Sequence, residues 1–148
     1  MRITTKGCYG LRAMVELARS YGGPPVLMRT IAEKHSISRK YLHALLTSLR
    51  LSGVVRSVRG SGGGYILSRP PDRIMVSDVL RALEGSLNFA DCVSDANLCE
   101  RSGACVSHML WIELSSAIER HLERLSLADL SRGVRHSTEP DDEAMYFI

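Results

Sequence analysis

"SRKYLHALLTSLRLSGVVRSVRGSGGGYIL", residues 38–67, changes its hydrophobic period halfway along. Leu42, Leu45, Leu46 and Leu49 fall at i, i+3, i+4 and i+7, the spacing that gathers apolar side chains on one face of an α-helix. Ser38 is a good N-cap for that helix, since its hydroxyl can accept from a free amide of the first turn. Gly53 sits where a C-terminal glycine would end it. Beyond it, Val54, Val55 and Val58, a glycine-rich tip, and then Tyr65, Ile66 and Leu67 read as a β-hairpin.

Working upstream, residues 28–35 read as a short helix with Ile31 and Ala32 inward, and Ser36-Ile37 turns the chain into the leucine helix. Residues 4–23 read as a first helix capped by Thr4 or Thr5, with its stripe at Leu11, Met14, Val15, Ala18 and Tyr21. Gly22, Gly23, Pro24 and Pro25 stop it. A helix-turn-helix followed by a hairpin predicts a winged helix: a mainly α fold with a small β wing, over residues 1–85.

The charge of this portion points to its partner. Residues 1–72 carry twelve Lys/Arg against three Asp/Glu, and no acid occurs between residues 34 and 71. Residues 73–133 carry six against nine. A basic first half suggests a polyanion; the plainer alternative is a solvated basic face. Arg39, Lys40, Tyr41 and His43 lie at the N-terminal, non-leucine side of the second helix, where a recognition helix presents side chains to base edges. At the hairpin tip, Arg59 suits a narrow minor groove, and Ser61 and Gly62 allow the backbone to touch phosphate. Duplex DNA is the expected ligand.

Downstream, "RPPD" (69–72) punctuates the chain, and Ser77 is expected to cap a short helix over Val79, Leu80 and Leu83 that ends near Gly85. Residues 86–105 show little periodicity and read as a long loop, which in a small chain is usually functional or disordered. From Val106 to Leu125 helical spacing returns: Leu110, Leu114, Ala117, Ile118, His121, Leu122 and Leu125 form a wide apolar stripe. A domain this small cannot cover such a stripe alone, so pairing of helix 106–125 with its counterpart in a second copy is the economical solution, predicting a homodimer. The dimerisation helix is assigned to 106–130, with a capping-box pattern at Ser126 and Asp129 for one more short turn. Residues 131–148 read as a flexible tail.

Other classes find little support. There is no Walker motif, and the glycines at 60–64 do not fit the spaced dinucleotide pattern. No substrate-pocket signature or catalytic base pair is visible, so the chain is not expected to be an enzyme. No apolar run reaches the length of a bilayer span, and "MRITTKGCYG" lacks the apolar stretch of a secretory signal, so a cytoplasmic location is expected.

That location bears on "CVSDANLCERSGACVSH", residues 92–108. In a reducing compartment a cysteine cluster is more often metal-binding or redox-active than disulfide-bonded. Six residues separate Cys92 from Cys99, five separate Cys99 from Cys105, and two separate Cys105 from His108. Paired Cys-x-x-Cys zinc knuckles are absent, and the wide spacing suits a larger object such as an iron–sulfur cluster. Unligated loop cysteines are the plain alternative. His108 is either a ligand or a capping or packing residue, and Cys8, in the first helix, is either a small core side chain or a ligand reaching a cluster on a partner subunit.

"MRITTKGCYGLRAMVELA", "ISRKYLHALLTSLRLSGVVRSVRGSGGGYIL" and "CVSHMLW" together resemble the IscR/NsrR/RirA family of bacterial winged-helix regulators, over about residues 1–130. The resemblance implies a homodimer joined through the long helix, DNA binding by recognition helix and wing, and a cluster bound by Cys92, Cys99 and Cys105. In the IscR-like branch a histidine at the place of His108 completes a [2Fe–2S] site, which is favoured here. In the NsrR-like branch an acid in the partner's first helix helps hold a [4Fe–4S] cluster, and this chain has Cys8 there, so that form and that fourth ligand are the alternative. The chain also departs from the IscR-like branch in the six-residue gap after Cys92 and in His43, which stands where an acid is common. The implied function is a transcriptional regulator whose DNA binding answers to redox state, nitric oxide or iron status. A cluster-free thiol sensor, and a small electron-transfer protein, are the rival readings.

Overall fold

The structure, a computed structural model, describes residues 3–133. In chain order it contains α1 (Thr5–Arg19), α2 (Met28–His35), α3 (Arg39–Leu51), β1 (Val55–Val58), β2 (Gly64–Leu67), α4 (Val76–Glu84), α5 (Asp91–Ser94), α6 (Val106–Leu122) and α7 (Leu127–Arg132). Single 3-10 turns occur at Pro71–Arg73, Ala96–Leu98 and Ser102–Ala104. The winged helix expected from residues 38–67 is present. None of the described helices is long and apolar enough to cross a membrane.

The helix-turn-helix follows from local chemistry. Leu42, Leu45, Leu46 and Leu49 are all buried, as their spacing requires. Ser38 Oγ accepts from the Tyr41 amide at 3.3 Å and starts α3. Ser36 takes a left-handed conformation (φ 53°), uncommon for a residue with a side chain. The Ile37 amide pays it back by donating to Ala32 O at 2.9 Å, while the Ile37 side chain enters the core.

The hairpin is antiparallel, with Val55 opposite Leu67 and Val58 opposite Gly64. It is also stapled to the α1–α2 connection: the Val26 amide donates to Tyr65 O (3.0 Å) and the Tyr65 amide to Val26 O (2.9 Å). A Cβ on Gly64 would lie 2.5 Å from Val26 O, so this approach needs glycine.

Several expectations need correction. The buried residues of α1 are Gly7, Gly10, Ala13, Met14, Glu16, Leu17 and Ala18; Val15 and Leu11 are only half-buried, and Tyr21 lies past the helix end, exposed. The reason is contact with α4. A Cβ on Gly10 would collide with Leu83 Cδ1, and one on Gly7 would sit 2.7 Å from Glu84 Oε1. The two glycines open a groove that α4 fills. Ser77 does not cap α4: it is a buried residue inside it, Met75 is the N-cap, and Asp78 Oδ2 accepts from the Met75 amide at 3.1 Å. The 86–105 segment carries α5 and two 3-10 turns rather than a plain loop. Ser131 and Arg132 belong to α7; the rest of the expected tail, from residue 134, lies outside the described residues.

After α6 the chain returns to the body. The Val76 amide donates to Leu125 O (2.8 Å) and the Leu127 amide to Ile74 O (2.9 Å), while Leu127 is fully buried. Leu122 and Leu125 pack on a second apolar cluster of Val76, Leu80 and Leu87. Arg81 of α4 reaches both Glu119 of α6 and Glu123 just past its end. The C-terminal half of α6 is therefore fixed to the winged helix.

Candidate DNA interface and cysteine segment

The first turns of α1, α2 and α3 contain no acid of their own; at α1 the Glu84 carboxylate of α4 stands in for one, whereas no carboxylate among the described residues accepts from the first-turn amides of α2 or α3. On α3 two cations, Arg39 and Lys40, occupy that end. For the isolated helix this is unfavourable; it favours an anion bound from outside. Lys40 and His43 are exposed and make no ion pair among the described residues. Arg39 Nη2 lies 3.9 Å from Glu33 Oε1, a solvent-exposed pair of small worth that a phosphate can displace. Tyr41 differs from its neighbours: its half-buried ring meets Tyr9 edge-on at 6.1 Å, and the Arg12 guanidinium lies 5.5 Å from the Tyr9 ring. Tyr41 thus ties the recognition helix to α1. The Thr47 and Ser48 hydroxyls already donate to His43 O and Ala44 O.

At the wing tip Arg59, Ser61 and Gly62 are exposed, and Arg59 has no ion-pair partner among the described residues. The tip glycines divide by role. A Cβ on Gly63 would collide with Val58 O, whereas one on Gly62 would meet nothing within 4 Å, and the Gly62 φ is not positive. The fold demands glycine at 63 and leaves 62 free.

The cysteine segment is docked at its start. Phe89 stacks on Trp111 (6.2 Å, 19°), and its amide donates to Ser115 Oγ at 3.1 Å. This carries Cys92, on α5, to α6, where His108 Nδ1 lies 3.4 Å from Cys92 Sγ. Cys99 and Cys105 follow the two 3-10 turns. All three thiols are half-buried and free of disulfides, while Cys8 is exposed on α1. The donor types suit a thiophilic centre. The geometry is open: among the described residues no third His, Cys, Asp or Glu joins Cys92 and His108 in a metal-holding group. Sequence reasoning missed the Phe89–Trp111–Ser115 anchor, for which no periodic signal exists. It also missed Glu84, whose carboxylate accepts from the Thr4 amide (2.9 Å), the Thr4 hydroxyl (2.8 Å) and the Gly7 amide (2.9 Å). Glu84 thereby joins the start of α1 to the root of the cysteine segment. Burial pushes its pKa up, but these bonds from Thr4 and Gly7, with Lys6 nearby, hold it below the ordinary value.

A recognition helix with a basic, solvent-exposed end, beside a wing whose arginine has no ion-pair partner among the described residues, defines a winged-helix DNA-binding protein of the transcription-regulating class. The family profile of Rrf2, described as an iron-dependent transcriptional regulator, matches residues 3–133, and the chain belongs to that family. It is 36% identical over 147 residues to the transcriptional regulator CymR of Bacillus subtilis (strain 168), covering 99% of each chain. The solved structure of that protein, the global cysteine regulator of B. subtilis, superposes with a TM-score of 0.75 over 89% of this chain and 97% of the other. The structure of T. potens IscR gives a TM-score of 0.74 at 37% identity, over 99% of this chain and 97% of the other. These relatives are transcriptional regulators, not enzymes, as the sequence led us to expect.

Proposed function

We propose that this chain is a homodimeric regulator whose grip on duplex DNA is set by an iron–sulfur cluster on the 92–108 segment. One observation carries the cluster part: His108 Nδ1 and Cys92 Sγ approach to 3.4 Å across two elements, on a segment that holds two further free thiols. Cys92, Cys99 and Cys105 are the thiolate ligands and His108 the fourth, the ligand count of a [2Fe–2S] centre. Cys8 in place of His108 would go with a [4Fe–4S] centre. When bound, the cluster supplies a group that oxidants, nitric oxide or iron scarcity alter. The chain's own part is mechanical. Cys92 and His108 tie α5 to α6, Glu84 ties the same region to α1, and ordering of the segment biases the stance of the recognition helices.

The dimer reading rests on exposure. Within α6 only Ser115 is buried, while Val106 is 87% and Met109 73% exposed, with Leu110 and Leu114 beside them. Two such helices pairing would cover this stripe and set two copies of Lys40, His43, Arg59, Ser61 and Gly62 on successive grooves.

A second reading is favoured by the open ligand geometry and by the likeness to a cysteine regulator: the thiols act directly, by oxidation or exchange, without a cluster. Anaerobic purification with iron and acid-labile sulfide analysis and a visible spectrum separates the two. The cluster reading expects coloured protein with stoichiometric iron and sulfide; colourless protein holding neither would leave the thiol reading.

A further inference from the structure

A cavity of about 280 Å³ lies at the root of the wing, between the end of α1 and the hairpin. We propose that it binds a small organic carboxylate with an aromatic or branched apolar body. The proposal goes beyond the regulator reading and does not depend on a cluster.

One wall is Leu17, Ser20 and Tyr21; the other is Arg56 of β1 with Tyr65 and Ile66 of β2. The walls are thus largely apolar and aromatic, with a few hydroxyls, and the volume falls just short of the range of drug-sized pockets, about 300–1,000 Å³, which suits a smaller ligand. Arg56 is the only charged residue lining it. The Arg56 side chain makes no hydrogen bond or ion pair among the described residues, so its guanidinium is available to a ligand in the cavity. A single unpaired guanidinium beside apolar walls selects an anion with an apolar remainder, and planar carboxylate matches it in shape. Inorganic phosphate would leave the walls unused. Tyr21, 49% exposed past the end of α1 and without a ring contact among the described residues, offers a free aromatic face.

The site is largely formed in advance. Pro24 and Pro25 restrict the connecting loop, and the Val26–Tyr65 bridge pins it to the hairpin. A ligand there touches both α1 and the wing strands.

The test is an amide NMR titration of the full chain without DNA. Phenylacetate, its uncharged counterpart phenylacetamide, and inorganic phosphate are added separately to wild type and to Arg56→Met. Saturable shifts confined to residues 17–26, 56 and 65–68 are expected with phenylacetate. Phenylacetamide should bind at least about tenfold more weakly to wild type, the loss of a charge-assisted hydrogen bond, and phosphate not at all. In Arg56→Met the two organic probes should bind alike. Absence of saturable shifts with phenylacetate, equal affinity of acid and amide for wild type, or an acid preference that survives Arg56→Met would overturn the proposal. Phosphate alone shifting Arg56 would instead mark it as a phosphate contact.

Discussion

Arg59 is exposed and has no ion-pair partner among the described residues, so removing it costs the free protein little and the complex much. Arg59→Ala should weaken operator binding by about 1–3 kcal/mol in a gel-shift titration while leaving the melting temperature unchanged. The neighbouring glycines separate fold from contact. Gly63→Ala forces a Cβ into Val58 O and should lower stability by about 1–3 kcal/mol, as overpacking does. Gly62→Ala meets open space, so it should melt like wild type and lose DNA affinity, because the methyl stands where the backbone would approach phosphate. Thermal melts paired with gel shifts read both. Residue identity alone made Arg59, Ser61 and Gly62 legible as a tip, but not which glycine serves which purpose: that depends on where Val58 O and Val26 O come to lie. The place of Tyr41 on the helix makes it a candidate contact residue, and its half-buried ring also meets Tyr9 edge-on, which no sequence period signals.

At the level of elements, periodicity located α2, α3 and the hairpin closely, because each has one buried face and local stop signals. It misplaced the stripe of α1, since Gly7 and Gly10 are buried by being small, not by being apolar. The α1–α4 and α1–α2 contacts also carry pH dependence. Burial works to raise the Glu16 pKa, but Lys34 at 2.7 Å, with His35 and Arg19, holds it below the ordinary 4.5; Glu84 is likewise lowered. Both carboxyls are depressed in the folded state, so their stabilisation is complete above about pH 4.5 and is lost as pH falls through the lower folded values. Urea midpoints stepped down from neutral pH should fall across that window, and less steeply in Glu84→Gln. An unchanged slope in that variant would remove Glu84 from the account.

For the whole molecule, the exposed half of α6 is the element that makes no sense in a single chain. On the proposed pairing of α6, wild type should sediment as a dimer, and Leu110→Glu should leave the winged helix folded, sediment as a monomer, and lower operator affinity by more than tenfold, because one half-site is lost. The wide stripe on residues 106–125 was legible as the apolar face of a helix, and Leu110 and Leu114 on it are exposed in the single chain. How the stripe divides was not: Leu122 and Leu125 serve the chain's own body, and the Arg81 clamp on Glu119 and Glu123 has no periodic signature. The cysteine spacing was legible as a candidate centre, while the meeting of Cys92 with His108 depends on the Phe89–Trp111 stack, a long-range contact. The most direct test of the central claim is the DNA affinity of anaerobically purified protein, loaded with iron and sulfide, against the same protein stripped by chelator and against Cys92→Ala. A change of about tenfold or more between loaded and stripped forms, absent in Cys92→Ala, is the predicted result. Identical affinities for all three would contradict it.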